Sequence, residues 1–217
     1  MRRPLSMQPI AILGGTFDPV HIGHLRVAWE AADAFDAQVR LMPAHVPPHR
    51  PAPVATAEQR TRMLQLALAG QERLKLDTRE LDRSGPSYTF DTLRSLRDEF
   101  GENRPLILLL GADAFAGLPS WHRWRELFEL AHIVALTRPG HAAAWPAQLT
   151  AAANPHRTDA AGKLCAMPAG YVFELPVTPL EISASRIRAL LAAGREPRWL
   201  LPQALLADAQ TLAVYRR

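Results

Sequence analysis

The feature that most constrains the fold of this chain is a run of five consecutive apolar residues, Leu106–Leu110. A strand with one face in water alternates apolar and polar residues, so an unbroken run indicates a strand covered on both faces, as at the centre of a parallel sheet. Other short apolar runs predict further strands. They lie at Ile10–Leu13, Val39–Met42, Leu74–Leu76, Ile133–Leu136 and Val172–Leu175.

Longer segments between these runs have the apolar period of helices. They lie at His24–Phe35, Ala57–Ala69, Thr89–Phe100 and Trp121–Leu130. Strands that alternate with helices are typical of an α/β fold whose crossovers are right-handed. We therefore predict a Rossmann-like doubly wound parallel sheet, in which ligands lie at the carboxyl ends of the strands.

Two regions depart from this alternation. Residues 139–168 are rich in Ala and Pro with little periodicity, and we expect them to form a surface excursion. Toward the C-terminus, Ser185–Ala193 and Pro202–Leu212 read as helices, with Pro202 in a first turn. We predict a single domain, with an α/β core over residues 8–182 and a small helical segment over residues 183–217.

Composition narrows the classes of partner. The net charge is +4, and Lys75 and Lys163 are the only lysines, so arginine supplies most of the positive charge and suits an anionic ligand. The arginines are scattered, without the basic block that would follow a nucleic acid strand. The single cysteine, Cys165, rules out an internal disulfide. With no signal peptide and no span of about 20 apolar residues, we expect a cytoplasmic protein without a membrane partner.

A first group of candidate site residues follows the first predicted strand. Gly14 and Gly15 let the backbone turn sharply and approach a bulky anion, with Thr16 and Phe17 directly after them. His21 and His24 are three residues apart, so they share a face in the opening turn of a helix, and Gly23 between them leaves room for a ligand. The helix start adds N–H groups and a positive dipole end. Together these groups predict a binding site for a triphosphate.

The segment Gly14–His24 is also compatible with other kinds of site. Two histidines at this spacing also occur in metal sites, but no further ligands cluster nearby, and we expect no protein-bound metal. A nicotinamide-binding Rossmann domain requires G-x-G-x-x-G, which the sequence after Leu13 lacks. An ordinary turn with surface histidines remains an alternative on these residues alone.

A second group lies at the start of a C-terminal helix, over Ile182–Arg188. Ser183 is an N-cap candidate, and Ser185 and Arg188 share a face. On these residues alone, a capped helix with solvated arginines is the favoured interpretation.

The string Gly14–His24 resembles the signature of the H-x-G-H nucleotidyltransferase superfamily, and the chain is similar to the bacterial nicotinate-nucleotide adenylyltransferases within it. Further family patterns recur in the expected order along most of the chain. They are PPHR at 47–50, SYTFDTL at 87–93, GADAF at 111–115, SWHRW at 120–124, TRPG at 137–140 and ISASRIR at 182–188.

The resemblance implies transfer of the adenylyl group of ATP, with Mg²⁺, to nicotinate mononucleotide on the route to NAD. His21, His24 and Arg188 would then act on the transferring phosphates as electrostatic clamps. ATP contacts would come from Gly14, Gly15, Thr16, Phe17, Ser183, Ser185 and Ile187. Ala184 replaces the usual second serine, and Arg186 falls at a variable position. Asp18 would either help indirectly or form an Asx turn beside Pro19.

The resemblance places the acceptor nucleotide against a separate set of residues. The set comprises His49, Arg50, Tyr88, Thr89, Asp113, Trp121 and His122. Trp121 would stack on the pyridine ring, and a helix start at this point would receive the nicotinate carboxylate. On the residues alone, other interpretations stay open: His49 and Arg50 as a solvated loop, Tyr88 as a packing residue, Thr89 and Asp113 as helix caps, and Trp121 as a core residue, which is the commoner role of a tryptophan. The family commonly has a tyrosine in place of His122, which leaves a backbone contact there.

Two rivals differ in activity. A pantetheine-phosphate adenylyltransferase usually has threonine in place of His21, and it lacks the PPHR and SWHRW strings. A non-catalytic nucleotide-binding module would not need His21, His24 and Arg188. The oligomeric state is open, and a homo-oligomer is compatible with the sequence.

Overall fold

The computed structural model describes residues 8–45, 52–83, 87–138 and 145–216. Strands and helices alternate through most of it. The strands are β1 (Ile10–Gly15), β2 (Gln38–Pro43), β3 (Leu74–Leu76), β4 (Leu106–Gly111), β5 (His132–Thr137) and β6 (Val172–Pro176). The α-helices are α1 (Ile22–Ala34), α2 (Ala57–Ala67), α3 (Thr89–Phe100), α4 (Ala112–Ala116), α5 (Leu127–Leu130), α6 (Ala147–Ala153), α7 (Ala161–Ala166), α8 (Ala184–Ala192), α9 (Gln203–Ala207) and α10 (Ala209–Leu212).

The strands form one sheet in the order β3-β2-β1-β4-β5-β6. β1, β4, β5 and β6 pair in parallel, with Ile10 opposite Leu106 and Leu13 opposite Leu109. All five residues of the 106–110 run are at most 6% exposed, as expected for a central strand covered on both faces. Strand order reverses between β1 and β4, the switch point at which α/β sheets bind ligands. The predicted doubly wound α/β fold is confirmed.

All six predicted strands are present, and α3 has the predicted bounds. Helix α2 begins at a capping box, in which the Thr56 hydroxyl accepts from the N–H of Gln59 and the Gln59 side chain accepts from the N–H of Thr56. Its buried residues are Arg60, Met63 and Leu64, so a cation lies on the stripe that faces the core.

Three expectations about helices were wrong in detail. The predicted helix Trp121–Leu130 is instead a 3-10 turn at Trp124–Glu126 followed by α5. The predicted helix Pro202–Leu212 is two short helices separated at Asp208, whose side chain accepts from the N–H of Thr211 and so starts α10.

The third concerns the excursion at residues 139–168. Of its described part, residues 145–168, much is helical, in α6 and α7. Leu149, Ala153 and Leu164 are fully buried there, so these helices pack rather than trail over the surface. Periodicity does not detect short alanine-rich helices, because alanine creates little difference in hydrophobicity between the faces of a helix.

Internal contacts divide the chain into two compact units. The first unit comprises Met1–Leu13, Glu30–Arg40 and Tyr88–Pro179, and the second comprises Gly14–Trp29, Leu41–Ser87 and Leu180–Arg217. The assignment of the whole chain to a single domain stays a prediction. Among the described residues, no helix has the length and apolar character required to cross a membrane.

Candidate active site

The loop after β1 is held by backbone bonds and by one buried arginine. The carbonyl of Gly15 accepts from the N–H of Ala44 (2.9 Å), and the carbonyl of Thr16 accepts from Nη1 of Arg60 (2.8 Å). Arg60 also donates to the carbonyls of Ala44 (2.9 Å) and His45 (3.4 Å). Its side chain is 1% exposed, and burial lowers its pKa, opposed by the nearby charge of Asp18.

Gly15 faces the aromatic ring two residues later. A Cβ at Gly15 would lie 3.0 Å from Cζ of Phe17, a tight contact that would require the buried ring to shift by a few tenths of an ångström. Phe17 has a φ of 51° and is 2% exposed. A buried ring leaves only backbone atoms of Phe17 for the predicted contact with ATP. At Gly14, by contrast, a Cβ would meet nothing within 4 Å, so open space adjoins this turn.

His21 and His24 are stacked, with ring centroids 3.6 Å apart and planes at 21°. The N–H of His21 donates to Nδ1 of His24 (3.3 Å), and Phe17 lies edge-on to His24 at 5.0 Å between centroids. The prediction that the two histidines share one face is therefore confirmed. Nδ1 of His21 is buried without a hydrogen-bond partner among the described residues.

The two imidazoles are neutral near pH 7. Burial lowers the pKa of His21 to about 4. Burial also lowers the pKa of His24 to about 3, and the charge of His21 acts in the same direction. Since Nδ1 of His24 accepts a hydrogen bond, the neutral ring carries its proton on Nε2. His24 is thus a neutral hydrogen-bond donor, and a cationic clamp has to come from elsewhere.

The start of α1 offers fewer free groups than the sequence indicated. The N–H of Ile22 donates to the carbonyl of Leu200 (2.9 Å), and the N–H of His24 donates to the carbonyl of His21 (3.0 Å). At Gly23 a Cβ would lie 3.1 Å from Nδ1 of His21. The space that we expected Gly23 to leave for a ligand is therefore required by the His21 ring.

The second group is built on α8, which Ser183 caps as predicted. Its hydroxyl accepts from the N–H of Arg186 (3.2 Å), while the Arg186 side chain stays exposed. Nη2 of Arg188 donates to the hydroxyl of Ser185 (3.3 Å), so these two side chains do share a face. Ile187 is fully buried, which leaves its backbone for a contact with ATP.

Asp18 joins the two groups. Its backbone carbonyl accepts from Nη1 of Arg188 (2.7 Å), which fixes the guanidinium beside the segment that carries the two histidines. Its carboxylate accepts from the N–H of Val54 (2.8 Å), the N–H of Ala55 (3.0 Å) and the hydroxyl of Tyr215 (2.6 Å). The carboxylate therefore ties together distant segments of the second unit, and the Asx-turn alternative is wrong.

Sequence reasoning missed Arg60 and Tyr215. A signal was present for Arg60, because it precedes Met63 and Leu64 by three and four residues and so falls on the apolar face of α2. Tyr215 follows Leu212 by three residues, and both are at most 3% exposed. Neither pattern indicates which polar group the buried side chain contacts.

The predicted acceptor residues that the structure describes all belong to the first unit. Tyr88 is 37% exposed, and its ring lies 4.6 Å from that of His122 at 36° between planes. Tyr88, rather than Thr89, occupies the cap position of α3, and it makes no capping hydrogen bond with its side chain. Asp113 is exposed in the first turn of α4, directly beyond β4, and Gly111 occupies the cap position there. His49 and Arg50 lie outside the described residues.

The anion-receiving helix start predicted at Trp121 is absent. Trp121 ends a 3-10 turn, and Arg123 takes a left-handed conformation with φ 54° before the next turn starts at Trp124. This change of backbone direction breaks the helix that periodicity extended through 121–130. Trp121 is half-buried, so part of its ring stays accessible to a ligand.

The possible metal ligands near these groups can be examined in the part of the chain that the structure describes. Within the described ranges, no three His, Cys, Asp or Glu residues are grouped so that they could hold a metal ion. Both carboxylate oxygens of Asp18, the acidic residue nearest the histidines in sequence, already accept hydrogen bonds. This donor set fits a divalent ion that arrives bound to nucleotide phosphates.

The fold and this site define the class of protein, the nucleotidyltransferases. A family model described as cytidylyltransferase-like matches residues 12–190, which include both groups of site residues. Two solved structures share the fold, a Plasmodium falciparum nicotinic acid mononucleotide adenylyltransferase complexed with NaAD and the same enzyme complexed with APC. Their TM-scores are 0.68 and 0.67 at 16% identity, and each match covers 96% of this chain and 97% of the other.

Sequence relatives specify the family further. The chain is 47% identical to a protein of Aeromonas hydrophila over 96% of this chain and 97% of the relative. It is 49% identical to a protein of Methylococcus capsulatus, over 91% of this chain and 94% of the relative. It is 46% identical to a protein of Pseudomonas putida, over 100% of this chain and 99% of the relative. Each relative is named "Probable nicotinate-nucleotide adenylyltransferase". The chain belongs to the nicotinate-nucleotide adenylyltransferase family.

Proposed function

We propose that this chain transfers the adenylyl group of ATP to nicotinate mononucleotide, giving nicotinate adenine dinucleotide and pyrophosphate in NAD biosynthesis. The observation that carries the proposal is the junction of the stacked His21–His24 pair with Arg188 through the Asp18 carbonyl, at 2.7 Å. Two neutral donors and one fixed cation at the end of β1 suit a phosphate chain. The names of the full-length relatives supply the acceptor.

The chemistry requires no general base. A phosphate oxygen of the acceptor, already anionic near neutral pH, attacks the α-phosphorus of ATP. The bond from the α-phosphorus to the bridging oxygen breaks, and pyrophosphate leaves with the electron pair. Catalysis is then alignment and stabilisation of developing negative charge. Arg188 supplies positive charge, and His21 and His24 supply hydrogen bonds to phosphate oxygens.

ATP is bound by the loop after β1 and by the start of α8. The groups assigned to it are Gly14, Gly15, Thr16, Ser183 and Ser185, with the backbone of Phe17 and Ile187. Open space at Gly14 supports this assignment. The ATP phosphates and water, rather than protein carboxylates, would hold Mg²⁺, which would supply neutralisation of part of the phosphate charge.

Binding of the acceptor is assigned to the residues that the family patterns indicate. The residues assigned to it are His49, Arg50, Tyr88, Thr89, Asp113, Trp121 and His122. The accessible ring of Trp121 supports stacking on the pyridine base. With no helix start at Trp121, the choice of nicotinate over nicotinamide rests on the family, and a backbone N–H near His122 is the carboxylate donor that we expect. Because one cysteine cannot form an internal disulfide, a cytoplasmic location fits the chain.

The test is pyrophosphate release with Mg-ATP and either nicotinate or nicotinamide mononucleotide at equal concentration. Strong preference for the nicotinate form supports the full proposal. Equal use keeps adenylyl transfer and removes the base selectivity. Release with phosphopantetheine alone would assign the chain to another activity of the superfamily, and no release with any acceptor would indicate a nucleotide-binding module.

A further inference from the structure

The last turn of the described chain places one hydroxyl in the centre of the second unit. Tyr215 is 3% exposed, and its hydroxyl donates to Oδ1 of Asp18 at 2.6 Å. The same hydroxyl lies 3.6 Å from the sulfur of Met63. Burial raises the pKa of Tyr215, as do the hydrogen bond to Asp18 and its charge, so the phenol keeps its proton and remains a donor.

The carboxylate of Asp18 is surrounded by donors. Oδ1 accepts from Tyr215 and from the N–H of Ala55, and Oδ2 accepts from the N–H of Val54. Nη1 of Arg188 is 3.8 Å from Oδ2, beyond hydrogen-bond distance but within reach of an ion pair. That same Nη1 is bonded instead to the backbone carbonyl of Asp18 at 2.7 Å.

This arrangement gives Arg188 two alternative partners on one residue. An unoccupied carboxylate would attract the guanidinium into a bidentate pair, because charge-assisted bonds of this kind are stronger than a bond to a neutral carbonyl. A carboxylate that already accepts hydrogen bonds from three donors attracts the guanidinium less strongly, because part of its acceptor capacity is in use. The guanidinium then stays on the carbonyl, with about a third of its side-chain surface exposed for an anionic ligand (31%).

We propose that Tyr215 is a positioning residue for adenylyl transfer, whose hydroxyl holds the Asp18 carboxylate and thereby keeps Arg188 on the Asp18 carbonyl, directed at phosphate. The inference rests on the proposed function and extends its machinery to the C-terminal turn. Tyr215 acts through Asp18 and Arg188, and it touches neither nucleotide.

The test is Y215F, which removes one oxygen atom and keeps the ring. Small displacement of a phosphate-binding group costs up to about 100-fold in rate, so we expect kcat to fall between about 10- and 100-fold. The KM for nicotinate mononucleotide should change little, since the acceptor is bound elsewhere. The matched control is M63L, which alters the other neighbour of the same hydroxyl and conserves volume. M63L should keep wild-type kcat.

To distinguish a purely structural role of Tyr215 from an action through Arg188, Y215F is repeated in an R188A background. If Tyr215 acts through Arg188, Y215F lowers kcat only when Arg188 is present, and the double variant equals R188A. Activity is compared per folded molecule, from the far-ultraviolet circular dichroism amplitude at the assay temperature. Equal fractional losses in both backgrounds, or wild-type kcat in Y215F, would overturn the inference.

Failure of the proposed function is recognised separately. Mg-ATP binding to the wild type, Y215F, R188A and the double variant is measured by calorimetry, without an acceptor. If the wild type binds Mg-ATP but produces no pyrophosphate, the proposed function is wrong. The role of Tyr215 is still supported in that case if Y215F binds Mg-ATP more weakly than the wild type while the double variant binds it as R188A does. Unchanged ATP binding in Y215F under those conditions, or no binding by the wild type, counts against it.

Discussion

The residues proposed for ATP and those proposed for the acceptor are held in different ways. Among the residues at and around the proposed ATP site, Asp18, His21 and Arg60 are each at most 6% exposed, and hydrogen bonds from distant segments fix the loop after β1. Among the acceptor residues, Tyr88 and His122 are exposed, and the described contact between them is a ring contact at 4.6 Å.

The difference reflects what each side has to do. Stabilising charge on a transferring phosphate requires donors that are already in place, because reorganisation during the reaction costs rate. Recognising a planar base relies on stacking and shape, which tolerate adjustment of exposed rings. The contrast predicts rate effects on the phosphate side and binding effects on the acceptor side.

The largest effect is expected from His24→Ala. Removing one preorganised donor to transition-state charge costs about 3 kcal/mol, which corresponds to a 10²- to 10³-fold loss in kcat. Acceptor binding and the fold should be retained. Steady-state kinetics and circular dichroism check this, with His156→Ala in the first unit as a histidine control. An unchanged kcat in His24→Ala would remove this residue from the machinery.

His24→Asn then sharpens the result. Because His24 is a neutral donor, an amide N–H should restore part of the lost rate, while a cationic role would leave Asn as poor as Ala.

The next effect concerns stability. Arg60→Met leaves three partly buried carbonyls without this donor, and we expect the free energy of unfolding to fall by roughly 3 kcal/mol. The comparison is Arg123→Met on the acceptor side, where the arginine pairs with Glu126 at the surface. Exposed pairs contribute little, so this variant should unfold like the wild type in urea. Similar losses in the two variants would contradict the contrast.

A smaller effect should appear as the pH is lowered. The folded-state pKa values of His21 and His24, about 4 and about 3, lie below the 6.5 of an unperturbed histidine. The unfolded chain therefore binds more protons below pH 6.5. This part of the stability is complete above pH 6.5 and is lost progressively as the pH falls from 6.5 through 4 and 3. The loss in Tm between pH 7 and 5 should be smaller in His24→Asn than in the wild type. Parallel Tm curves would contradict the lowered pKa.

The smallest effects are expected among the acceptor residues. Trp121→Ala should raise the KM for nicotinate mononucleotide about tenfold with little change in kcat, because stacking on a base is worth about 1–3 kcal/mol. His122→Ala, in which any backbone contact survives, should raise it less. Trp121→Phe keeps a ring and serves as the control. A kcat loss in Trp121→Ala as large as that in His24→Ala would erase the distinction between the two sides.

Local patterns predicted much of the fold. An apolar run such as Leu106–Leu110 has few alternatives to a central strand, and all six predicted strands are present. The errors occurred where tertiary contacts decide. At 121–130 a left-handed Arg123 interrupts a good helical period, and in α6 and α7 burial is carried by few residues among alanines.

In the candidate site, too, local patterns predicted some features and tertiary contacts decided the others. The spacing of His21 and His24 predicted a shared face, and the capping pattern predicted Ser183 at the start of α8; both are observed. Their protonation could not be predicted, since it depends on burial by residues distant in sequence.

The sequence by itself determined the order of the six strands, the family, and which residues are candidates for phosphate contact, because periodicity, glycine turns and spaced histidines are local properties. Only the tertiary structure decided that Arg60 is buried under the loop, that Asp18 accepts from Val54, Ala55 and Tyr215, and that Arg188 bonds to the Asp18 carbonyl. These contacts join residues up to 197 positions apart, between Asp18 and Tyr215. Hydrogen bonding at such separations depends on how the whole chain packs, and no local pattern encodes it.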